Sequence, residues 1–173
     1  MMTPEEIKIK LQLEPNNEEG GFFASVYQSE ILIPNTILPG FPPTNNLRPL
    51  SGAIYYFLDQ SGCSILHKVT GDMVYHFYSG DPVEMLLLYP EQYPIRTEIC
   101  IFSNDVLAGG KPMKAIPGGT WLGSRLLTGG NYALMGVTMA PGFSPTDYSI
   151  GDRKELIESY PEQKSLIEIL TKD

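Results

Sequence analysis

Histidine and cysteine are scarce in this chain, two of each in 173 residues, and tryptophan occurs once. Two cysteines, Cys63 and Cys100, are too few for the disulfide framework that holds small secreted domains. They read as buried, inert thiols. Basic side chains are also few: Lys and Arg number 12 against 20 Asp and Glu, for a formal net charge of -8 and a pI near 4.7. Non-specific nucleic-acid binding draws its affinity from Lys and Arg on phosphates, so that class is excluded. No apolar run approaches the ~18 residues that a membrane-spanning helix needs. The opening Met1-Met2-Thr3-Pro4-Glu5-Glu6 has neither a basic n-region nor an apolar h-region, which gives the expectation of a cytoplasmic protein with reduced thiols and no membrane partner.

What is abundant is the material of turns and strands. Hydrophobic residues make up 42% and charged residues 18%, with 17 glycines and 15 prolines. This length suits one domain spanning 1–173. Between Gly52 and Ala140, eight strand-length runs follow one another: Ala53 to Leu58, Ser64 to Val69, Met73 to Tyr78, Val83 to Tyr89, Ile95 to Phe102, Lys114 to Ile116, Thr120 to Leu127 and Tyr132 to Met139. Turn signals such as Thr70-Gly71-Asp72 and Gly129-Gly130-Asn131 separate them, with no helix between, so the fold class is all-β: an antiparallel sandwich or barrel. Thr3-Pro4-Glu5-Glu6 predicts a short N-terminal helix to about Leu13. After a Gly20-Gly21 bend, Phe22 to Ser29 reads as an extended segment. The Pro- and Asn-rich stretch from Ile31 to Pro49 predicts a loop without regular structure, suited to a lid, a partner contact or a plain surface excursion. Two short C-terminal helices are expected, one opened by Asp152-Arg153-Lys154-Glu155 and one by Pro161 with Leu166, Ile167 and Leu170 on one face.

Both histidines, His67 and His76, lie between Gly62 and Gly80, so metal ligation or acid/base work near neutral pH is confined to that hairpin. The run from Gly62 to Gly80 resembles the first cupin motif, and Pro117-x-Gly119 resembles the start of the second. Glu19-Gly20-Gly21-Phe22-Phe23, Arg48-Pro49-Leu50-Ser51, Ile54-Tyr55-Tyr56, His76 to Pro82 and Ala140-Pro141-Gly142-Phe143 are similar to one poorly characterised cupin subfamily. The resemblance implies a small jelly-roll barrel, usually a homodimer, with a fold like that of the metal-free sugar-nucleotide epimerases.

The resemblance also bears on a metal. Laid on this chain, the family's ligand positions fall on His67, Val69, Met73 and Leu122. A divalent ion is held by several N or O donors at once. Three apolar positions of four therefore lead to the expectation of no metal and no cofactor. Regular alternation from Met73 puts Tyr75 and Phe77 inward and His76 outward, unless a bulge near Met73 reverses it.

These readings define the candidate site. His67 is the candidate base, as opposed to a core histidine satisfied by a backbone carbonyl, and Tyr75 or Tyr55 is the candidate acid. Phe23, Phe77, Trp121 and Tyr132 are candidate walls for a small organic ligand, with His76 as a further pocket residue. Glu19 and Arg48 are candidate polar contacts for the ligand; the alternatives are a solvated acid in a tight turn for Glu19 and, as the plainer reading, a salt bridge to the acidic surface for Arg48. The implied activity is a metal-independent isomerase or epimerase. A ligand-binding module with a decayed active site and a metal-dependent oxygenase are the alternatives.

Overall fold

The computed structural model describes residues 2–43 and 46–172. Met1, Asp173 and two residues of the expected loop, Thr44 and Asn45, lie outside the described residues. A helix, α1 (Pro4–Lys10), opens the chain, held by a capping box between Thr3 and Glu6. It ends three residues short of the predicted Leu13, where Gln12 turns into the left-handed region at φ 53°. Strands follow as β1 (Glu14–Pro15), β2 (Phe22–Gln28), β3 (Leu32–Pro34), β4 (Leu47–Pro49), β5 (Gly52–Asp59), β6 (Ser64–Lys68), β7 (Met73–Gly80) and β8 (Val83–Leu88). Then come β9 (Thr97–Phe102), β10 (Met113–Ile116), β11 (Trp121–Leu126), β12 (Tyr132–Met139) and β13 (Ser149–Ile150), before α2 (Arg153–Ser159) and α3 (Lys164–Ile169). All eight runs predicted between Gly52 and Ala140 are strands, each within two residues at either end.

Two antiparallel sheets face each other. One has the order β1-β2-β5-β12-β7-β10, the other β13-β6-β11-β8-β9. Alternate residues of each strand enter the space between them: Tyr56 and Leu58 from β5, Met73, Tyr75 and Phe77 from β7, Val83, Met85 and Leu87 from β8, Leu122 from β11 and Met135, Val137 and Met139 from β12. This is the jelly-roll barrel that the strand pattern implies, filled by apolar side chains.

The outer face of the second sheet is covered by the C-terminal helices. Leu66, Leu86 and Leu88 pack there against Leu156, Tyr160, Ile167 and Leu170. Gly123 leaves room for that contact, since a Cβ there would stand about 3 Å from Leu66 and Leu170. The first sheet has α1 only at one end, where Lys8 reaches Asp59 at 3.1 Å and lies over the Phe22 ring. Its remaining outer face, including Tyr55, Val74, His76, Tyr78, Met113 and Ala115, carries no charged group at these positions.

The segment expected to lack regular structure contains a two-stranded arm. Leu32–Pro34 pairs antiparallel with Leu47–Pro49, and Asn35–Ile37 forms a 3-10 turn between them. Proline ends each short strand on a free edge, where its missing N–H breaks no ladder.

Where the two sheets meet at β9 and β10, side chains add to a backbone bridge between Phe102 and Lys111. Glu98 takes both Lys114 (2.7 Å) and Lys111 (3.2 Å) and accepts from Tyr89 at 2.7 Å. Burial alone would raise this carboxyl, but the lysines and the phenol outweigh it and hold it at about 2. A lowered carboxyl stabilises the fold above its unfolded value and loses that contribution as pH falls towards 2. Glu98→Gln is therefore expected to cost about 1–2 kcal/mol at pH 7 in urea unfolding, with the difference shrinking below pH 4.

Candidate functional site

The opposite seam, at β2 and β13, is built differently. Gly20 adopts φ +91°, and a Cβ there would stand 2.2 Å from the carbonyl oxygen of Cys63, so only glycine lets the chain cross so close to the start of β6. The crossing is pinned on three sides. Ile65 N donates to Glu19 O at 2.8 Å, Asn16 Oδ1 accepts from Glu19 N at 3.2 Å, and the Tyr56 hydroxyl donates to Gly20 O at 2.9 Å. Glu19 is thereby attached to the strand that carries His67, and its side chain, 8% exposed, turns inward.

His67 is 2% exposed. Its Nδ1 lies 2.9 Å from the carbonyl of Ile65, an atom that can only accept, so Nδ1 carries a proton and Nε2 is the exchangeable position. Nε2 sits 3.4 Å from Glu19 Oε2. The same oxygen accepts from the Tyr148 hydroxyl at 2.9 Å, and the Tyr148 ring stacks on the imidazole at 5.5 Å between centroids and 23° between planes. One carboxylate oxygen thus serves an imidazole and a phenol at the edge of an apolar interior. Tyr148 is half-buried and lies between His67 and solvent, with the exposed Phe143 against its edge.

Burial pushes the Tyr148 phenol well above its ordinary value of 10.0, and the Glu19 charge adds to the shift. The same two causes raise Tyr75 and Tyr56. At neutral pH these phenols are donors and cannot act as bases. The Ser64 hydroxyl is buried here beside the Tyr56 phenol.

The structure brings some of the expected site residues together and separates others. His67, Glu19 and Tyr75 share the interior, and Phe77 and Phe23 pack there as wall residues. Both phenylalanines are removed from His67 in the strand order: Phe77 lies edge-on to Phe102 at 5.6 Å, and Phe23 pairs with Tyr56. Tyr55 is corrected: it lies on the outer face, edge-to-face with Tyr78 at 6.1 Å, while its neighbour Tyr56 points inward. His76 is likewise outward and half-buried, sharing a 2.8 Å hydrogen bond with Thr138. The bulge in this ladder falls opposite Leu134 and Met135, beyond His76, and so does not turn it in.

Trp121 and Tyr132 leave the candidate walls. Trp121 faces the C-terminal helices under Lys68, and Tyr132 stacks on Phe57 at 5.6 Å outside the barrel. Arg48 is 1% exposed and commits its guanidinium to Asp147 and Asn35, so it offers nothing to a ligand. Cys63 is half-buried and Cys100 buried, and burial raises both thiols. Tyr148 and Tyr56 escaped the sequence reading.

The donor set for a metal is thin. Val69, Met73 and Leu122, on the positions where the cupin motif places ligands, belong to the apolar core. No cluster of three His, Cys, Asp or Glu side chains occurs among the described residues. Glu19 adds one carboxylate to His67, which does not fit a divalent ion that takes about four donors. No helix among the described residues is long and apolar enough to cross a membrane.

A family model described as Cupin superfamily (DUF985) matches residues 5–151. Among solved structures, a protein from Shewanella oneidensis is similar over 99% of both chains, with 27% identity and a TM-score of 0.82. A hypothetical protein from Leishmania major is similar at a TM-score of 0.85 and 23% identity, over 99% of this chain and 100% of that one. Oxalate decarboxylase from Bacillus subtilis shares the fold alone, at 14% identity and a TM-score of 0.51, over 91% of this chain and 37% of the enzyme. No curated protein matches significantly.

Alkaline titration tests the buried phenols. A raised phenol holds its proton longer in the folded chain than in the unfolded one, so its contribution to stability is present below pH 10 and is lost as pH rises above it. Of the ten tyrosines, Tyr56, Tyr75 and Tyr148 are expected to ionise last in absorbance at 295 nm. Glu19→Gln is expected to bring Tyr148 down towards the ordinary range.

Proposed function

This chain belongs to the DUF985 family of the cupin superfamily, and from that premise we propose that it binds a small organic molecule at the mouth of its barrel and moves a proton on it without a metal. The observation that carries the reading is the Glu19 carboxylate, nearly removed from water and shared between His67 Nε2 and the Tyr148 hydroxyl. A carboxylate is costly in an apolar interior unless it is hydrogen-bonded, and here its partners are an imidazole and a buried phenol, the two kinds of group that acid/base chemistry needs.

The roles follow from the chemistry of each group. His67, with Nδ1 occupied by the Ile65 carbonyl, accepts a proton at Nε2 from a carbon next to a carbonyl. The C–H electron pair shifts into the carbonyl as the bond breaks. Glu19 stabilises the imidazolium so formed, as the carboxylate of an acid/base pair does. Tyr148, kept protonated by burial, donates to the developing enolate oxygen. It replaces Tyr55 as the candidate acid, with Tyr75 next along the wall. Return of the proton from the imidazolium to carbon, with the enol proton going back to the Tyr148 oxygen, completes the cycle, so the reaction class is isomerisation or epimerisation. Tyr148 must swing aside to admit a ligand.

The Met73 side chain, apolar where the cupin motif places a ligand, favours a second reading: a binding module whose chemistry has decayed. Deuterium exchange separates the two. Carbonyl sugars that raise the melting temperature are incubated with the protein in D2O. The acid/base reading expects deuterium at the carbon next to the carbonyl, lost at least 100-fold in His67→Ala and Tyr148→Phe while both stay folded. A stabilising compound recovered without deuterium supports binding alone, and a stoichiometric transition metal in protein purified without chelators overturns the metal-free reading.

The uncharged outer face of the first sheet fits a second copy of this chain. Two molecules of net charge -8 meet with least repulsion where neither presents a charge. On that argument the protein is a homodimer. Tyr78→Glu is expected to convert it to a monomer in light scattering; a wild-type chain that already runs as a monomer removes the dimer.

A further inference from the structure

The position of Tyr148 is decided one residue earlier. Arg48, in β4, is 1% exposed, and its guanidinium is engaged on every side. Both terminal nitrogens fork onto the Asp147 carboxylate, one of them at 2.9 Å, and Nε donates to Asn35 Oδ1. A terminal nitrogen also reaches Gly142 O at 3.3 Å, and the Phe41 ring covers the guanidinium plane at 4.6 Å. Asn35 and Asp147 are themselves 2% and 5% exposed. The backbone adds Gly142 N to Pro49 O at 2.8 Å. The segment from Gly142 to Asp147 is therefore fastened to the β3–β4 arm at both of its ends.

Such a pair is weak evidence for stability. Removing two ions from water costs several kcal/mol per ion, and fork geometry with extra hydrogen bonds does little more than offset it. Its better-attested use is to select one arrangement among several. Here the residue that follows Asp147 is the one stacked on His67 and bonded to Glu19. Arg48 is almost wholly buried, and its geometry bears on the rest of the chain through Asp147, Asn35 and Gly142.

We propose that Arg48 is a positioning residue for the mouth of the barrel: by gripping Asp147 it holds the Tyr148 ring over His67, so that the β3–β4 arm sets whether the site is covered. The inference deepens the acid/base reading of this site, and its test uses no ligand. Release of the clasp frees Tyr148 to rotate out and exposes Nε2 of His67.

Proton NMR reads the clasp directly. In a His76→Asn background His67 gives the only imidazole signals, and the stacked Tyr148 ring displaces them by its ring current. Tyr148→Leu supplies their position without the stack. Arg48→Met and Asp147→Asn are expected to move the His67 signals to that position, with Arg48→Lys in between because a lysine cannot fork. The double variant Arg48→Met with Asp147→Leu leaves no unpaired buried charge and keeps the test available where the single changes unfold. A merely structural ion pair lowers the melting temperature and leaves the signals where they are in the parent; that result in the folded double variant overturns the proposal. Signals that move, with deuterium exchange absent from every form, retain the clasp and remove the acid/base chemistry.

Discussion

A carboxylate buried at the seam of an apolar barrel must be satisfied, and the mouth of this molecule is organised around that requirement. Glu19 reaches the interior because Gly20 can pass within touching distance of the Cys63 carbonyl. Once there, it draws an imidazole from β6 and a phenol from the segment before β13. Each partner is anchored by something else: His67 by a backbone carbonyl, Tyr148 by its stacking and by the Arg48–Asp147 pair one residue away. The two seams of the barrel thus differ in kind. At one, Glu98 with two lysines closes the edge in part-exposed surroundings. At the other, a single carboxylate is met by groups that can give and take protons.

Much of the fold was legible because alternation and turn residues agree. The eight central strands, the capping signals of both ends and the inward parity of Met73, Tyr75 and Phe77 follow from a period of two and from Gly-containing turns. The parity of β5 did not follow, since Ile54, Tyr56 and Leu58 on one face are matched by Ala53, Tyr55 and Phe57 on the other. Phe57 is as buried as Tyr56, packed against Phe22 and Tyr132. A strand apolar on both faces carries no internal sign of which one is inside, and choosing Tyr55 over Tyr56 was the result.

The site was legible in part, and the limits are physical. His67 and Glu19 announced themselves through a motif and a glycine bend. Tyr148 sits in Ser144-Pro145-Thr146-Asp147-Tyr148, a run that reads as an ordinary polar turn. Its partner Glu19 lies 129 positions away. For Arg48 a salt bridge was the plainer reading, but its partner and its burial were not legible, because the acid lies 99 positions along the chain. Trp121 went to the wrong side because the outer face of its sheet is itself a core, built with helices that local periodicity cannot dock.

Those long separations fix an order of events when the chain is made from its N-terminus. Glu19 emerges early, and the strands that enclose it follow, yet the phenol that completes its hydrogen bonding is added near the end. A nascent barrel that stops short of Asp147 and Tyr148 has its inward strands but leaves the carboxylate half-served and the arm without an acid to grip. The same dependence ties distant parts of the chain into one event: the carboxylate and the imidazole, in place earlier, take their shared aromatic partner only when Tyr148 has emerged.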